Sequence, residues 1–403
     1  MRAVSMRGGS GIVARMDTNA RHVAVVEWDP QSAQAIRDQV AAYDAMRRRC
    51  PVARSELLHW SLFRHADVVR ALAEHEVFSN EVSNHLSVPN GMDPPVHTGY
   101  RRVIDPYFSA ERMRALEPAC RRIAGELLDA LPMQRDVEVV EELAEPFALR
   151  AQAAFLDWPA ELHEPLREWV RANHAATRAR DPAANAAVAL AFDRHIRAVL
   201  DARRRGATRG EDVASRLMRE QVEGRELTEA EIVSILRNWT VGELATIAAS
   251  VGNIVHFLAR RPDVGRQLRT DAGLVPAAID EMLRIDPPLI ASRRRTKCPV
   301  TVGGQDIGAG ERVTLLWASA NRDERTFGDP DEFRTDRDPQ LNLLYGKGLH
   351  VCPGAPLARL ELRVFVEELL KRGLEPQIAA APAPVKAVYP GSGFATLHVR
   401  FAR

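Results

Sequence analysis

The chain has 403 residues, of which 27% are charged, and its formal net charge is +1. This length can supply a large core, and the small net charge excludes the strong electrostatic field typical of proteins that bind nucleic acid or anionic membranes. The four cysteines, Cys50, Cys120, Cys298 and Cys352, lack Cys-x-x-Cys spacing, which argues against a disulfide framework or a zinc site and favours a reducing cytoplasm.

Residues 1–20 are predicted to be a flexible tail ahead of a single domain, residues 21–403. The tail is rich in glycine and serine, and its Arg2, Arg7 and Arg15 are not followed by the hydrophobic segment of a signal peptide. The chain contains no uninterrupted run of about 18 apolar residues. We therefore expect a soluble protein without a membrane anchor.

The first helices and the first strand after the tail are predicted to be structural and to carry no site residues. Periodicity predicts an amphipathic helix over residues 30–49, a short strand over residues 57–63, a helix over residues 66–75 and a loop over residues 78–92. The following segment opens a helix that places His97 and Arg101, four residues apart, on one face. Taken alone, this pair of residues is more typical of ordinary surface charge than of a binding site.

Helical patterns dominate the middle of the chain. Residues 110–200 are interrupted near Pro132, Pro146, Pro159 and Asp181, which predicts several packed helices. A capping box at residues 228–231 opens a long helix that runs to about residue 261 and is apolar on most faces, so we expect it to be central and buried.

Shorter elements follow the long helix. Glu281 and Arg284 are spaced to support each other on a helix, and residues 300–310 predict a hairpin that turns at Gly303 and Gly304. With few strand patterns elsewhere, the chain is predicted to be mainly α-helical with small β-sheets.

Cys352 occupies a loop rich in glycine and proline, directly before a helix predicted over residues 356–372. The glycines of this loop permit tight turns and a close approach of the backbone to a flat or bulky group. The positive end of the helix dipole favours a thiolate, which makes Cys352 a candidate ligand or nucleophile. A lone cysteine is more often a small buried hydrophobic residue, so the cysteine by itself does not decide the matter.

The spacing around Cys352 resembles the haem-binding loop of the cytochrome P450 family. The matching positions are Tyr345, Gly346, Gly348, His350, Cys352, Gly354, Leu357, Ala358 and Arg359. Tyr345 stands where the family usually has phenylalanine. The resemblance spans about residues 25–403 and implies the cytochrome P450 fold, in which a long central helix lies distal to the haem and the cysteine loop precedes a proximal helix. It also implies haem b (iron protoporphyrin IX) with Cys352 as the axial thiolate ligand of the iron, in a soluble bacterial-type protein.

The resemblance assigns further residues to the haem and its support. His97, Arg101 and Arg294 are expected to bind the propionates, although Arg293 and Arg295 leave the last of these uncertain by one position. Tyr345, His350 and Gly354 are expected to contact the haem. Glu281, Arg284 and Arg337 match the family's structural brace for the cysteine loop. The residues expected to line a substrate pocket are Leu86, Met92, Leu244, Leu289, Ile290 and Phe394.

The distal helix departs from the family pattern. Counting back from Pro262 places the family's oxygen-ordering threonine at Thr246 and its acid at position 245, which is alanine here. Glu243 lies one turn before Thr246 and thus on the same face. It either replaces the missing acid in a proton relay or pairs with a basic side chain or substrate.

The function implied by the resemblance is a cytochrome P450 monooxygenase. It inserts one atom of O₂ into a small hydrophobic molecule, by hydroxylation or oxidative dealkylation, as a cytoplasmic monomer. Electrons come from a ferredoxin or flavodoxin with its reductase, docked on a positive patch of Arg101, Arg102, Lys347, Arg359 and Arg363. The alternatives are a peroxide-driven peroxygenase, favoured by Ala245, and a haem ligand sensor without turnover.

Overall fold

The computed structural model describes residues 26–179, 181–206 and 210–403. Within these ranges the protein is mainly α-helical with small β-sheets, which confirms the predicted class. The predicted tail, residues 1–20, lies outside the described residues. The organisation of residues 21–403 as one domain stays a prediction.

The α-helices are α1 (Ala33–Arg37), α2 (Gln39–Arg49), α3 (His65–Ala73), α4 (Val96–Ile104), α5 (Ala110–Asp129), α6 (Glu145–Leu156), α7 (His163–Ala179), α8 (Pro182–Arg205), α9 (Val213–Leu217), α10 (Glu229–Arg260), α11 (Pro262–Thr270), α12 (Val275–Ile285), α13 (Trp317–Ala320), α14 (Glu324–Phe327) and α15 (Ala355–Lys371).

The strands are β1 (Val52–Ser55), β2 (His59–Leu62), β3 (Phe78–Ser79), β4 (Val137–Glu138), β5 (Gln221–Val222), β6 (Arg225–Glu226), β7 (Ala291–Thr296), β8 (Val300–Val302), β9 (Gln305–Ile307), β10 (Arg312–Leu316), β11 (Glu375–Ile378), β12 (Val385–Lys386), β13 (Phe394–Thr396) and β14 (His398–Ala402). A five-stranded sheet has the order β1-β2-β10-β7-β3, in which only β10 and β2 are parallel. A three-stranded sheet has the order β11-β14-β4, and β5-β6, β8-β9 and β12-β13 form two-stranded pairs.

Helix α10 runs through the largest hydrophobic core and begins as the sequence predicts. Thr228 Oγ1 accepts from the Glu231 N–H, and the Glu231 carboxylate accepts from the Thr228 N–H at 2.7 Å, which completes the capping box. Residues on all sides of the helix are buried, and α6, α8, α12 and α15 pack against it. This explains why its apolar residues do not follow a single stripe.

By length and composition, α10 is the one helix in the described ranges that could cross a membrane. Of its most apolar stretch, 67% is buried inside the protein. Such burial is typical of the core helix of a globular domain.

Two local sequence signals, at Asp38 and Pro146, explain where α2 and α6 begin. The single helix expected over residues 30–49 is divided at Asp38, whose backbone (φ −148°, ψ 88°) is not helical and whose carboxylate caps α2 by accepting from the Ala41 N–H at 3.0 Å. The break expected near Pro146 is the start of α6, because Pro146 lies in its first turn, where a helix needs no proline N–H. A turn of π-helix, Val140–Ala144, precedes it.

Candidate active site

Cys352 lies between a 3₁₀ turn, Gly348–His350, and the start of α15. Its backbone N–H donates to the Tyr345 carbonyl at 2.9 Å, which closes the loop. Burial raises the pKa of the Cys352 thiol, and hydrogen bonds from the backbone N–H groups of Gly354 and Ala355 oppose this rise. Burial has the larger effect. The helix terminus alone therefore does not ionise the thiol, whereas coordination to a metal cation would deprotonate it.

Two glycines keep the space around the cysteine open. Gly348 has φ +73°, and a Cβ at this position would lie 3.1 Å from the Leu72 carbonyl oxygen. A Cβ at Gly354 would lie 3.8 Å from the Cys352 Sγ atom and 3.7 Å from the Phe108 ring. The first glycine is needed by the backbone, and the second leaves room for a flat group beside the sulfur.

A cavity of about 1050 Å³ lies between α10 and the cysteine loop. Thr246 and Ala245 line it from α10, whereas Cys352, His350 and Gly354 line it from the loop. Ligand pockets in proteins commonly measure about 300–1,000 Å³. This cavity is therefore large enough for a cofactor and a substrate together.

One side of the cavity region carries buried nitrogen donors that lack an acidic partner. The rings of His97 and His350 lie 4.0 Å apart, and neither His97 nitrogen, nor Nε2 of His350, has a hydrogen-bond partner among the described residues. Arg294 is 4% exposed and donates only to Ser292 Oγ (3.1 Å) and the Arg293 carbonyl (2.7 Å) in the described structure. Burial lowers the pKa of Arg294 to about 10.

Buried donors without acceptors call for a ligand that brings its own negative charge. The carboxylates of the haem propionates have this chemistry, and the open glycine loop and single thiolate suit the flat ring and its iron. The residues present therefore fit haem.

Arg101 has a different environment from the other predicted propionate ligands. Its Nε atom donates to Asp105 at 2.7 Å, and its Nη1 atom donates to the Val351 carbonyl at 2.8 Å and the Leu349 carbonyl at 3.3 Å. Arg101 thus ties α4 to the cysteine loop, and its role toward a propionate stays a prediction.

The predicted brace residues meet in the interior. Glu281 accepts two hydrogen bonds from Arg284, at 2.7 and 2.9 Å, and one from Arg337 at 2.9 Å. Arg284 also donates to the carbonyls of Asn321 (2.7 Å) and Pro330 (2.8 Å). The network links α12 to the irregular segment that leads into the cysteine loop.

On the distal side, Thr246 Oγ1 donates to the Gly242 carbonyl at 2.5 Å, one turn earlier in α10. Glu243 also borders the cavity, but its carboxyl faces another acid, Glu361 of α15. The alternative in which Glu243 pairs with a basic side chain finds no support among the described residues, since no ion pair to Glu243 occurs there. The sequence analysis did not predict a role for Glu361. Its position directly after the apolar Leu360, on a helix that packs into the core, could have indicated a buried acid.

Three of the six residues predicted for the substrate pocket line the cavity: Leu244, Leu289 and Phe394. The other three lie elsewhere, so their prediction requires correction. Leu86 is 41% exposed, and Met92 packs against the main core. Ile290 packs against a separate small cluster because it follows Leu289 in extended chain, where successive side chains point to opposite sides.

Other residues of the cavity wall were missed by the sequence analysis. Trp317 lines the cavity, is 7% exposed and has an indole N–H without a partner in the described structure. At another part of the wall, Arg167 pairs with Glu145 at 2.7 Å, and Arg171 pairs with Glu141 at 3.1 Å. These contacts depend on how α7 packs against α6 and the π-helical turn before it, which no local sequence pattern reveals.

The predicted positive patch is largely neutralised. Besides Arg101, which pairs with Asp105, Arg359 pairs with Asp280 at 3.2 Å and Arg363 with Glu117 at 2.7 Å. Arg102 and Lys347 are exposed and form no ion pair within the described residues. They are the positive charges of this patch that remain uncompensated there.

Comparisons with known proteins point to one family. The model of the cytochrome P450 family matches residues 183–373. The cyclomarin C epoxidase CymV of Salinispora arenicola is 33% identical over 352 residues, covering 84% of this chain and 89% of the relative. The erythromycin C-12 hydroxylase of Saccharopolyspora erythraea is 34% identical over 352 residues, covering 83% and 88%. A solved structure of a mutant of P450 EryK in complex with erythromycin B has a TM-score of 0.81 and 29% identity, and the match covers 90% of this chain and 95% of that one.

Proposed function

The chain belongs to the cytochrome P450 family and is a monooxygenase that binds haem through a cysteine thiolate, and we propose that it inserts one oxygen atom from O₂ into a small hydrophobic substrate. The expected chemistry is hydroxylation or oxidative dealkylation. The observation that carries this proposal is a single cavity lined by Cys352 on one side and by Thr246 on the other.

When bound, haem supplies the iron at which O₂ is reduced and its O–O bond is cleaved, assisted by electron donation from the thiolate. Cys352 would hold the iron, and His97, Arg294 and His350 would hold the propionates through charge-assisted hydrogen bonds. Tyr345 and Gly354 would pack at the cysteine side of the ring.

The residues on the distal side orient the substrate and move protons. Leu244, Leu289 and Phe394 give the substrate apolar walls, which supports a hydrophobic organic molecule. Thr246 is proposed to order water in the cavity, and Glu243 is proposed to supply the proton that Ala245 cannot. Both side chains border the cavity from the same face of α10.

The experiment that tests the proposed function compares two sources of oxidising equivalents. Compounds are first screened for binding by their effect on the haem spectrum, and a binder is then incubated with O₂ and a ferredoxin chain, or with hydrogen peroxide alone. We expect product with the ferredoxin chain. Product with peroxide alone would support the peroxygenase alternative, and tight binding without product in either case would support the sensor alternative.

The electron partner is proposed to be a ferredoxin or flavodoxin with its reductase, docked near the exposed Arg102 and Lys347. The double substitution Arg102→Glu with Lys347→Glu should slow the transfer of the first electron, because an acidic partner is steered by positive charge. Stopped-flow reduction at increasing ionic strength is the measurement, with Arg122→Glu on α5 as the matched control. If the rate of the first electron transfer changed neither with ionic strength nor with the double substitution, this docking site would be wrong.

The proposal also includes a cytoplasmic monomer. Size-exclusion chromatography and cell fractionation check these two properties, and elution at the mass of a dimer would contradict the first.

A further inference from the structure

Two acidic side chains face each other in the interior, one from each helix that borders the haem cavity. Glu243 belongs to α10, and Glu361 belongs to α15, the helix that follows Cys352. Glu361 is 0% exposed. Neither of its oxygens, nor Oε1 of Glu243, has a hydrogen-bond donor among the described residues. A buried carboxylate without donor or counter-charge is costly, so a proton held between the two oxygens is the arrangement that removes the cost.

The surroundings of the pair contain no compensating cation in the described structure. Burial raises the pKa of both carboxyls, and the negative charge of Glu361 raises the pKa of Glu243 further. The titratable groups that face the pair from neighbouring elements are Cys120 of α5 and Tyr345 of the cysteine loop, neither of which carries positive charge.

The nearby arginines are engaged elsewhere. Arg121 of α5 binds Glu117 at 2.7 Å and Glu367 at 2.5 Å. Arg363 of α15 binds Glu117 at 2.7 Å and Glu367 at 3.1 Å. These ion pairs hold α5 and α15 together on the outer side. Neither arginine therefore compensates the carboxyls of Glu243 and Glu361.

We propose that Glu243 and Glu361 share a proton and act as one buried acid, which supplies the proton that Ala245 cannot. This rests on the proposed monooxygenase function. Glu243 borders the cavity one helical turn before Thr246, so it delivers the proton, whereas Glu361 is a positioning residue that keeps Glu243 protonated.

Protons and electrons balance in this step. The carboxyl O–H bond breaks as the proton passes to a water or hydroxyl beside Thr246, and no electron moves with it. Two adjacent negative charges in the interior would be costly, so a proton from bulk water replaces the one that leaves. The pair thus ends each turnover in its starting protonation state.

Infrared spectroscopy of the resting holoenzyme tests the pair without turnover. A protonated buried carboxyl gives a C=O stretching band above the carboxylate region, and we expect this band in the wild type. Glu243→Gln and Glu361→Gln should each remove or shift it, whereas Glu229→Gln, the same change at the partly exposed start of α10, should leave it unchanged. A band that persists at the wild-type frequency in Glu361→Gln would overturn the shared proton, even if oxygenation itself is observed.

Turnover provides a second readout. In Glu361→Gln the yield of product per O₂ should fall about a hundredfold, the low end of the usual contribution of a general acid, with peroxide formed instead. Glu243→Gln should give a similar loss, and the double variant should be no worse, because the two residues act as a unit. In the wild type the yield should decline as pH rises, since a group of raised pKa keeps its proton at neutral pH and loses it above its pKa.

Control variants keep this inference separate from a folding defect. Glu361→Asp retains an acid and should recover part of the yield, and Glu229→Gln should behave as the wild type. Two results would overturn the inference. One is a double variant in which the two single losses of product yield combine in full. The other is a Glu361→Gln enzyme whose product yield and pH profile are unchanged. If the wild type made no product from O₂, the proposed function would be wrong. The infrared result would still show whether Glu243 and Glu361 share a proton.

Discussion

Replacing Cys352 with serine should abolish oxygenation and remove the thiolate signature from the spectrum of the reduced carbon monoxide complex. A serine hydroxyl has nearly the shape of the thiol but is a far weaker electron donor to iron, and donation from the thiolate promotes cleavage of the O–O bond. Because the loop is held by backbone contacts, such as Cys352 N–H to the Tyr345 carbonyl, the variant should still fold. Absorption spectra of the purified protein and product yield are the measurements.

The matched control is Cys298→Ser. Cys298 is exposed and does not line the cavity, so this variant should keep both the spectrum and the activity of the wild type. If Cys352→Ser kept the thiolate signature, another residue would be the ligand and the assignment of the cysteine loop would fail.

Replacing Glu281 with glutamine should destabilise the protein by about 3–5 kcal/mol, the usual cost of breaking a buried ion pair on one side. The substitution keeps the shape of the side chain but removes the charge that compensates Arg284, which is 1% exposed. Arg337 loses its acidic partner in the same step. Denaturant unfolding measures the loss, and we also expect faster haem release because the network supports the segment leading into the cysteine loop.

The control is an exposed pair on the same segment, Arg334 with Asp336 at 3.0 Å. Asp336→Asn should leave unfolding and haem release unchanged, since exposed ion pairs contribute little. A Glu281→Gln protein as stable as the wild type would show that the brace does not support the fold.

The parts of the site that could be predicted from sequence depend on local spacing. The capping box before α10, the cysteine directly ahead of α15 and the Glu281–Arg284 pair each involve residues within one helical turn or one loop, so backbone geometry determines their relation. Sequence spacing left the choice among three consecutive arginines open, and strand alternation in β7 separates them by burial. Arg294 is buried, whereas Arg293 and Arg295 are exposed on the other face of β7.

The parts that could not be predicted arise where distant segments meet. Glu361 is 118 residues from Glu243 in sequence, and the two face each other only because α10 and α15 cross in the core. The same reason applies to Trp317 in the cavity wall and to the contacts of Arg167 and Arg171. Leu86 and Ile290 were misplaced because apolar character does not tell which of several cores a side chain joins.

Turnover of a bound substrate under isotopically labelled O₂ with a ferredoxin chain shows directly whether the protein is a monooxygenase. Mass spectrometry of the product then identifies the origin of the inserted oxygen. For a hydroxylation we expect one labelled atom in the product, and for a dealkylation we expect it in the released carbonyl compound, with the second atom of O₂ released as water. A reaction in which no organic product carries the label would contradict monooxygenation.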